Sequence, residues 1–203
     1  MEHLSSEHLN EYHTRAIKLA QGFPAIVPTM LILTGFFSDN QRMVLLGLGL
    51  FSGNVLNSGI KKIVSHSGAK EIPFLGQIER PEGTATCKSF DGYGSRNILG
   101  MPSGHTQMAF TVCVFACLYM YHYQYESNIN NVMKSPYAIL KFATAIGIAI
   151  FCGHSRVQNS CHTIGQVYAG AAIGIIMGYV LYGIIDKYAK NECLKCLHLK
   201  PNE

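Results

Sequence analysis

"IGQVYAGAAIGIIMGYVLYGII", residues 164–185, decides the fold, because its twenty-two residues carry no formal charge. As a helix it would rise about 33 Å, and the hydrocarbon core of a bilayer is about 30 Å thick. Gly170, Gly174 and Gly178 recur at every fourth position, leaving a smooth stripe on which another helix can approach closely. A membrane span is the reading, and four further apolar stretches extend it.

Those stretches are "FPAIVPTMLILTGFF" (23–37), "MVLLGLGLFSGNVLNSGI" (43–60), "HTQMAFTVCVFACLYMYHY" (105–123) and "YAILKFATAIGIAIFCG" (137–153). The first is short and holds Pro24 and Pro28, which membrane helices tolerate where neighbours resatisfy the freed carbonyls. Of the 203 residues, 48% are hydrophobic and 14% charged, against about 25% charged in soluble domains. The mean hydropathy of +0.16 implies sizeable polar loops between spans. A soluble all-helical protein is the alternative, but its helices would carry an apolar stripe of limited width rather than apolar residues all round.

The expected fold class is therefore all-α, a multi-pass transmembrane helical bundle of about five spans. It forms one domain over 1–203, with a core at about 43–185, a polar N-terminal segment 1–22 and a polar C-terminal tail 186–203. The N-terminus shows no basic stretch leading into an apolar run, so no cleavable signal is read. A net charge of +4, small and scattered, speaks against a nucleic-acid partner.

Seven cysteines (Cys87, Cys113, Cys117, Cys152, Cys161, Cys193, Cys196) have no even-spaced pattern, and four lie in or beside apolar runs, where a thiol packs as a small hydrophobe. No disulfide framework is expected. Cys193 and Cys196 form a lone C-x-x-C, a weak zinc pattern; acylation after the last span or plain free thiols are the other readings.

With five spans, alternation puts segments 61–104 and 154–163 on one membrane face. It gathers Lys61, Lys62, Lys70, Arg80, Lys88, Arg96, His105, Arg156 and His162. In "GMPSGHTQ" (100–107), Ser103 is a favoured N-cap and Gly104 allows close backbone approach, so the following helix start is an anion site. Alone it is ordinary loop-to-helix punctuation; His105 adds a ring that can donate a proton near neutral pH. In "HSRVQNSCHTIGQV" (154–167), His162 and Gln166 are i and i+4, which lets the amide reach back to the imidazole. An acceptor there fixes the tautomer and leaves the other ring nitrogen as a nucleophile. Arg156 offers a planar fork for phosphate oxygens.

On the second span Asn54, Asn57 and Lys61 share a face, while Lys61 and Lys62 alone read as snorkelling anchors. Two histidines, two arginines, a lysine and a helix N-terminus on one face make a phosphate site with both an acid and a nucleophile. The carboxylates Glu71, Glu79, Glu82 and Asp91 fall in no metal-ligand pattern.

Lys61…Arg80-Pro81, then Pro102-Ser103-Gly104-His105, then Ser155-Arg156-x5-His162-x3-Gln166 resemble the three signature motifs of the type 2 phosphatidic acid phosphatase (PAP2) superfamily, over about residues 43–185. The resemblance implies a helical bundle of the PAP2 and acid phosphatase–haloperoxidase type and a metal-independent, cofactor-free phosphatase. It makes His162 the nucleophile that forms a phosphohistidine, His105 the acid, and Gln166 the residue that orients the ring. It gives the phosphate oxygens to Lys61, Arg80, Arg156, Ser103 and Gly104. Two features depart from the family pattern. About a dozen residues are inserted before Arg80, with Pro73 where the lysine usually stands and Lys62 and Lys70 as alternatives to Lys61. Gln166 replaces the usual aspartate.

That glutamine, with "GMPS-H-Q" and "SRV…HTxxQV", resembles the dolichyldiphosphatase branch; glucose-6-phosphatase-like members also carry it. The implied substrate is a polyprenyl (dolichyl) diphosphate first, phosphatidate or another lipid phosphate second, a sugar phosphate third. A non-catalytic membrane protein that binds lipid phosphates, and a bis-histidine haem protein, are the alternatives of other classes. Lys187, Lys190, Lys195 and Lys200 favour a cytoplasmic C-terminus, hence a multi-pass protein of the endoplasmic reticulum or another endomembrane with a lumenal or extracytoplasmic site. Oligomeric state is not readable.

Overall fold

The computed structural model describes residues 24–81, 99–126 and 136–198. The polar segment 1–22, Glu82, Cys87, Lys88, Asp91 and Arg96 lie outside the described residues. Each apolar stretch forms a helix: α1 Pro24–Phe37, α2 Gln41–His66, α3 Gly104–Glu126, α4 Pro136–Gln158 and α5 Ile164–His198. A two-stranded antiparallel hairpin, β1 Glu71–Ile72 and β2 Gly76–Gln77, follows α2.

The expected five-helix bundle is observed, and among the described residues three of its helices are by length and composition long and apolar enough to cross a membrane: Gln41–His66, Tyr137–Gln158 and Ile164–Ala189. Over its described residues α1 rises about 21 Å, less than the thickness of the hydrocarbon core. It folds back on α2 through Ser38–Asn40, where the Asn40 side chain caps α2 by accepting from the Met43 amide at 3.3 Å. Helix α3 has the length, but polar side chains dilute its hydropathy because it is the central helix. It packs on α5, α4 and α2, and Thr106, Gln107 and Thr111 are buried in those contacts.

The glycine stripe of α5 supplies the closest of these contacts. A methyl group at Gly170, Gly174 or Gly178 would strike the carbonyls of Ser103, Gln107 and Thr111 respectively, so the two backbones meet along two turns. Thr111 Oγ1 donates across this seam to the Gly174 carbonyl at 3.2 Å and within its own helix to Gln107 at 2.8 Å. Gln107 Nε2 donates to the Gly53 carbonyl at 3.1 Å, and Asn57 Nδ2 donates to Gln107 Oε1 at 2.6 Å. Three helices are thus tied by polar groups that have all found partners, as burial in an apolar medium requires.

Apolar packing fills the remainder, with Leu46, Leu50, Met108, Phe115, Tyr182 and Ile185 in one cluster and Ala109, Cys113, Ala149 and Cys152 in another. Outward, Val55, Ile63, Ile139, Leu140, Ile176 and Tyr179 are exposed, the surface of a protein solvated by lipid rather than water. One boundary differs from expectation: α5 continues to His198, so the tail from 186 starts as helix. At that end Arg42 lies 4.0 Å from Asp186 and stacks over Tyr119.

Candidate active site

The described parts of segments 61–104 and 154–163, namely 61–81, 99–104 and 154–163, come together at the opposite end of the bundle. The end of α2, the hairpin, the starts of α3 and α5 and the end of α4 meet there. Between α4 and α5 the chain turns in five residues, with Ser160 at φ 53°. The Arg156 carbonyl accepts from both the Cys161 amide (3.0 Å) and the His162 amide (3.2 Å), and Asn159 Nδ2 donates to the Ser155 carbonyl at 2.7 Å. This closure fixes His162 close to Arg156. Both side chains are buried.

Thr163 and Gln166 then start α5 reciprocally. The Gln166 amide donates to Thr163 Oγ1 at 3.3 Å, and the Thr163 amide donates to Gln166 Oε1 at 3.3 Å, a capping box. The same Oε1 lies 2.9 Å from His162 Nδ1. On its other side, Gln166 Nε2 donates to the carbonyls of Glu79 (2.7 Å) and Gln77 (3.0 Å), with that of Ile78 at 3.5 Å. Carbonyls accept only from the NH2 end, so the orientation of the amide follows from its partners. Oε1 must face the ring, Nδ1 must carry the proton, and Nε2 keeps its lone pair.

The hairpin reaches Gln166 because two glycines let it. A side chain at Gly165 would collide with the Leu75 carbonyl, and one at Gly100 with the Gln166 amide itself. The Ile78 carbonyl accepts from Gly100 and Met101 (3.0 and 3.1 Å), and the Ile78 amide donates to Lys70. The residues inserted before Arg80 are therefore not a detour. They form the hairpin that ends at the cradle, with Arg80 one residue beyond Glu79.

Burial first, and then the positive charges of Arg80, Arg156 and Lys61, hold His162 well below the ordinary imidazole value, against the opposing hydrogen bond to Gln166. The ring is neutral at pH 7. Of the three candidate lysines, Lys61 is half-buried and bears on His162, whereas Lys62 and Lys70 are exposed. The Arg156 Nε–H is buried without an acceptor among the described residues.

The start of α3 joins this cluster by its backbone. The Ser103 amide donates to the Gln166 carbonyl at 3.0 Å, and the Ser103 carbonyl accepts from Gln107 at 3.0 Å. Ser103 is fully buried, and its Oγ accepts from Thr106 Oγ1 at 3.0 Å. Gly104 lies against Asn57. His105, half-buried, is one residue into α3, with Cys152 of α4 against its carbonyl. The residues expected to share a face on α2 take different partners: Asn54 donates to the Pro24 carbonyl at 3.3 Å, Asn57 ties α2 to the start of α3, and Lys61 bears on His162.

Two features went unread in the sequence. Thr163 was legible as T-x-x-Q at a helix start. The Gln77 and Glu79 carbonyls had no signal, being backbone. A third needs correction: Cys161, fully buried beside His162, is disulfide-bonded, to a cysteine other than the free thiols Cys113, Cys117 and Cys152. Among the described residues no three His, Cys, Asp or Glu side chains group as metal ligands.

Comparison with known proteins gives a family model, the PAP2 superfamily, that matches residues 42–190. The lipid A 1-phosphatase of Porphyromonas gingivalis is 36% identical over 107 residues, 53% of this chain and 18% of that protein. Dolichyldiphosphatase 1 of Dictyostelium discoideum is 34% identical over 89 residues, 43% of this chain and 36% of that protein. The chain thus spans only a part of either relative. No solved structure matches.

Proposed function

We propose that this chain, which belongs to the PAP2 superfamily, hydrolyses a phosphate ester or anhydride of a membrane lipid through a phosphohistidine at His162. The observation that carries the reading is the 2.9 Å contact of His162 Nδ1 with Gln166 Oε1, in a ring kept neutral among three cations. Nε2 attacks phosphorus as the bond to the leaving oxygen breaks, and His105 gives that oxygen its proton. His105 then takes a proton from water, whose oxygen displaces Nε2 and frees phosphate. Arg80, Arg156 and Lys61 hold the non-bridging oxygens together with the Gly104 amide and the Ser103 hydroxyl, which keeps its own proton to donate while accepting from Thr106. Positioning and charge neutralisation carry such a transfer, and the scheme needs no metal.

Both relatives are named for phosphate on a lipid, and a site at the end of membrane-crossing helices suits a phosphate at headgroup level with its chain in the bilayer. Polyprenyl (dolichyl) diphosphate is the first choice of substrate, phosphatidate the second. The disulfide of Cys161 supports an active-site face in an oxidising compartment, such as the lumen of the endoplasmic reticulum or another endomembrane. The test is phosphate release from dolichyl diphosphate, phosphatidate and glucose 6-phosphate by wild type and His162→Ala, each with excess EDTA. Chelator-resistant release from the first, lost in the variant, is expected. Release that magnesium restores after EDTA, or that survives His162→Ala, overturns the mechanism; binding without release supports a non-catalytic lipid-phosphate receptor instead.

A further inference from the structure

Gly53, Asn57 and Lys61 follow one another at four-residue steps on α2, so they stand on one side of the helix over successive turns. Lys61 bears on His162, while the other two meet a single side chain of α3, Gln107. Gln107 Nε2 donates to the Gly53 carbonyl at 3.1 Å, which only the NH2 end of an amide can do. Its Oε1 is thereby left to accept from Asn57 Nδ2 at 2.6 Å. That bond in turn aims Asn57 Nδ2 at α3, where the Pro102 carbonyl lies 3.5 Å from it. Asn57 Oδ1 then faces Gly104, 3.3 Å from where a Cβ would stand. Both amides are buried, Asn57 at 5% exposed and Gln107 at 2%, so solvent does not compete for these bonds.

Pro102 and Gln107 bracket the Ser103-Gly104-His105 start of α3, and one amide of α2 touches Pro102, Gly104 and Gln107. On another side the same start is held by α5, through the Ser103 amide on the Gln166 carbonyl at 3.0 Å. Helix α5 thus fixes the start of α3 relative to the nucleophile. Asn57 fixes it relative to Lys61, one turn or about 6 Å further along α2. We propose that Asn57, aimed by Gln107, is a positioning residue that keeps the Gly104 amide and His105 in register with Lys61, so that a phosphoryl group passing to His162 meets cation and helix start together. The inference rests on the hydrolytic reading of His162 and adds what aligns the groups around it.

The experiment compares wild type with three variants. Asn57→Ala removes the amide, and Gln107→Met keeps the volume but removes the acceptor that aims it. Thr111→Val cuts a buried bond two turns into α3, away from the site. Hydrolysis of dolichyl diphosphate, inhibition by inorganic phosphate and unfolding temperature are read for each. For Asn57→Ala and Gln107→Met we expect kcat to fall about 100-fold, the scale of a small misplacement, with KM for the lipid within about threefold. The inhibition constant for phosphate should rise about tenfold, the scale of one hydrogen bond to a charged group. Thr111→Val should lose stability yet keep all three constants within about twofold. The two amides act as a unit, so the double variant should lose no more activity than the worse single one. Activity that falls in step with stability in every variant overturns the proposal, as does an unchanged phosphate constant or a double variant whose losses multiply. Where one of the pair does not fold, the other decides by the same criteria; failure of both assigns the amides to folding and overturns it. A wild type inert toward the lipid overturns the hydrolytic reading instead. The proposal is then judged by calorimetric titration with inorganic phosphate, and equal affinities in wild type and Asn57→Ala overturn it.

Discussion

Gln166 Oε1 accepts from His162 Nδ1 at 2.9 Å while its Nε2 is held by the carbonyls of Gln77 and Glu79. This one amide couples the turn after α4 to a hairpin more than eighty residues earlier. An aspartate, the more usual family residue, could face the ring but could not donate to two carbonyls. Glutamine and hairpin are two halves of one device.

Gln166→Glu keeps length and shape but turns an oxygen on those carbonyls. We expect kcat to fall roughly 100-fold, in keeping with losing the orienter of a catalytic imidazole, and stability to fall by about 1–3 kcal/mol for the unmet acceptors. Steady-state rates and thermal unfolding in detergent read the two effects. A variant with wild-type values in both would remove the cradle from the mechanism.

His162 titrates well below 6.5 when folded and near 6.5 when unfolded. Below pH 6.5 the unfolded chain therefore binds a proton that the folded chain refuses, and stability falls as pH drops toward the folded value. Wild type should lose stability faster than His162→Asn across that window. Parallel curves for the two proteins would show that the ring is not held neutral.

A Cβ at Gly174 would overlap the Gln107 carbonyl and come within 2.9 Å of Phe110 Cβ, whereas one at Gly147 meets nothing within 4 Å. Gly174→Leu should cost about 3 kcal/mol or more by overpacking. Gly147→Leu should be neutral or stabilising by up to about 1 kcal/mol through helix propensity. Unfolding temperatures of the purified proteins compare them, and the reverse order would refute the seam between α3 and α5.

Cys161 should resist alkylation in the native protein until a reductant is added, and reduction should cost about 2–4 kcal/mol. A non-reduced peptide map should recover the Cys161 peptide joined to a second cysteine peptide, and reduction should separate the two. Free labelling of Cys161 without reductant would contradict the bridge.

By itself the sequence determined the five helices, the meeting of 61–81 and 99–104 with 154–163, and the pairing of His162 with Gln166. These rest on local quantities, namely runs of apolar residues, the i to i+4 spacing and the glycine stripe. Only the tertiary structure decided that α3 is central and turns its polar residues inward, that Lys61 rather than Lys62 or Lys70 bears on His162, and that the inserted residues cradle Gln166. The reason is physical: backbone carbonyls look alike in every sequence, and which of them a buried amide meets depends on how distant segments pack. The bridge at Cys161 escaped notice likewise, since a cysteine beside an apolar run reads as a packed thiol until folding brings a second sulfur to it.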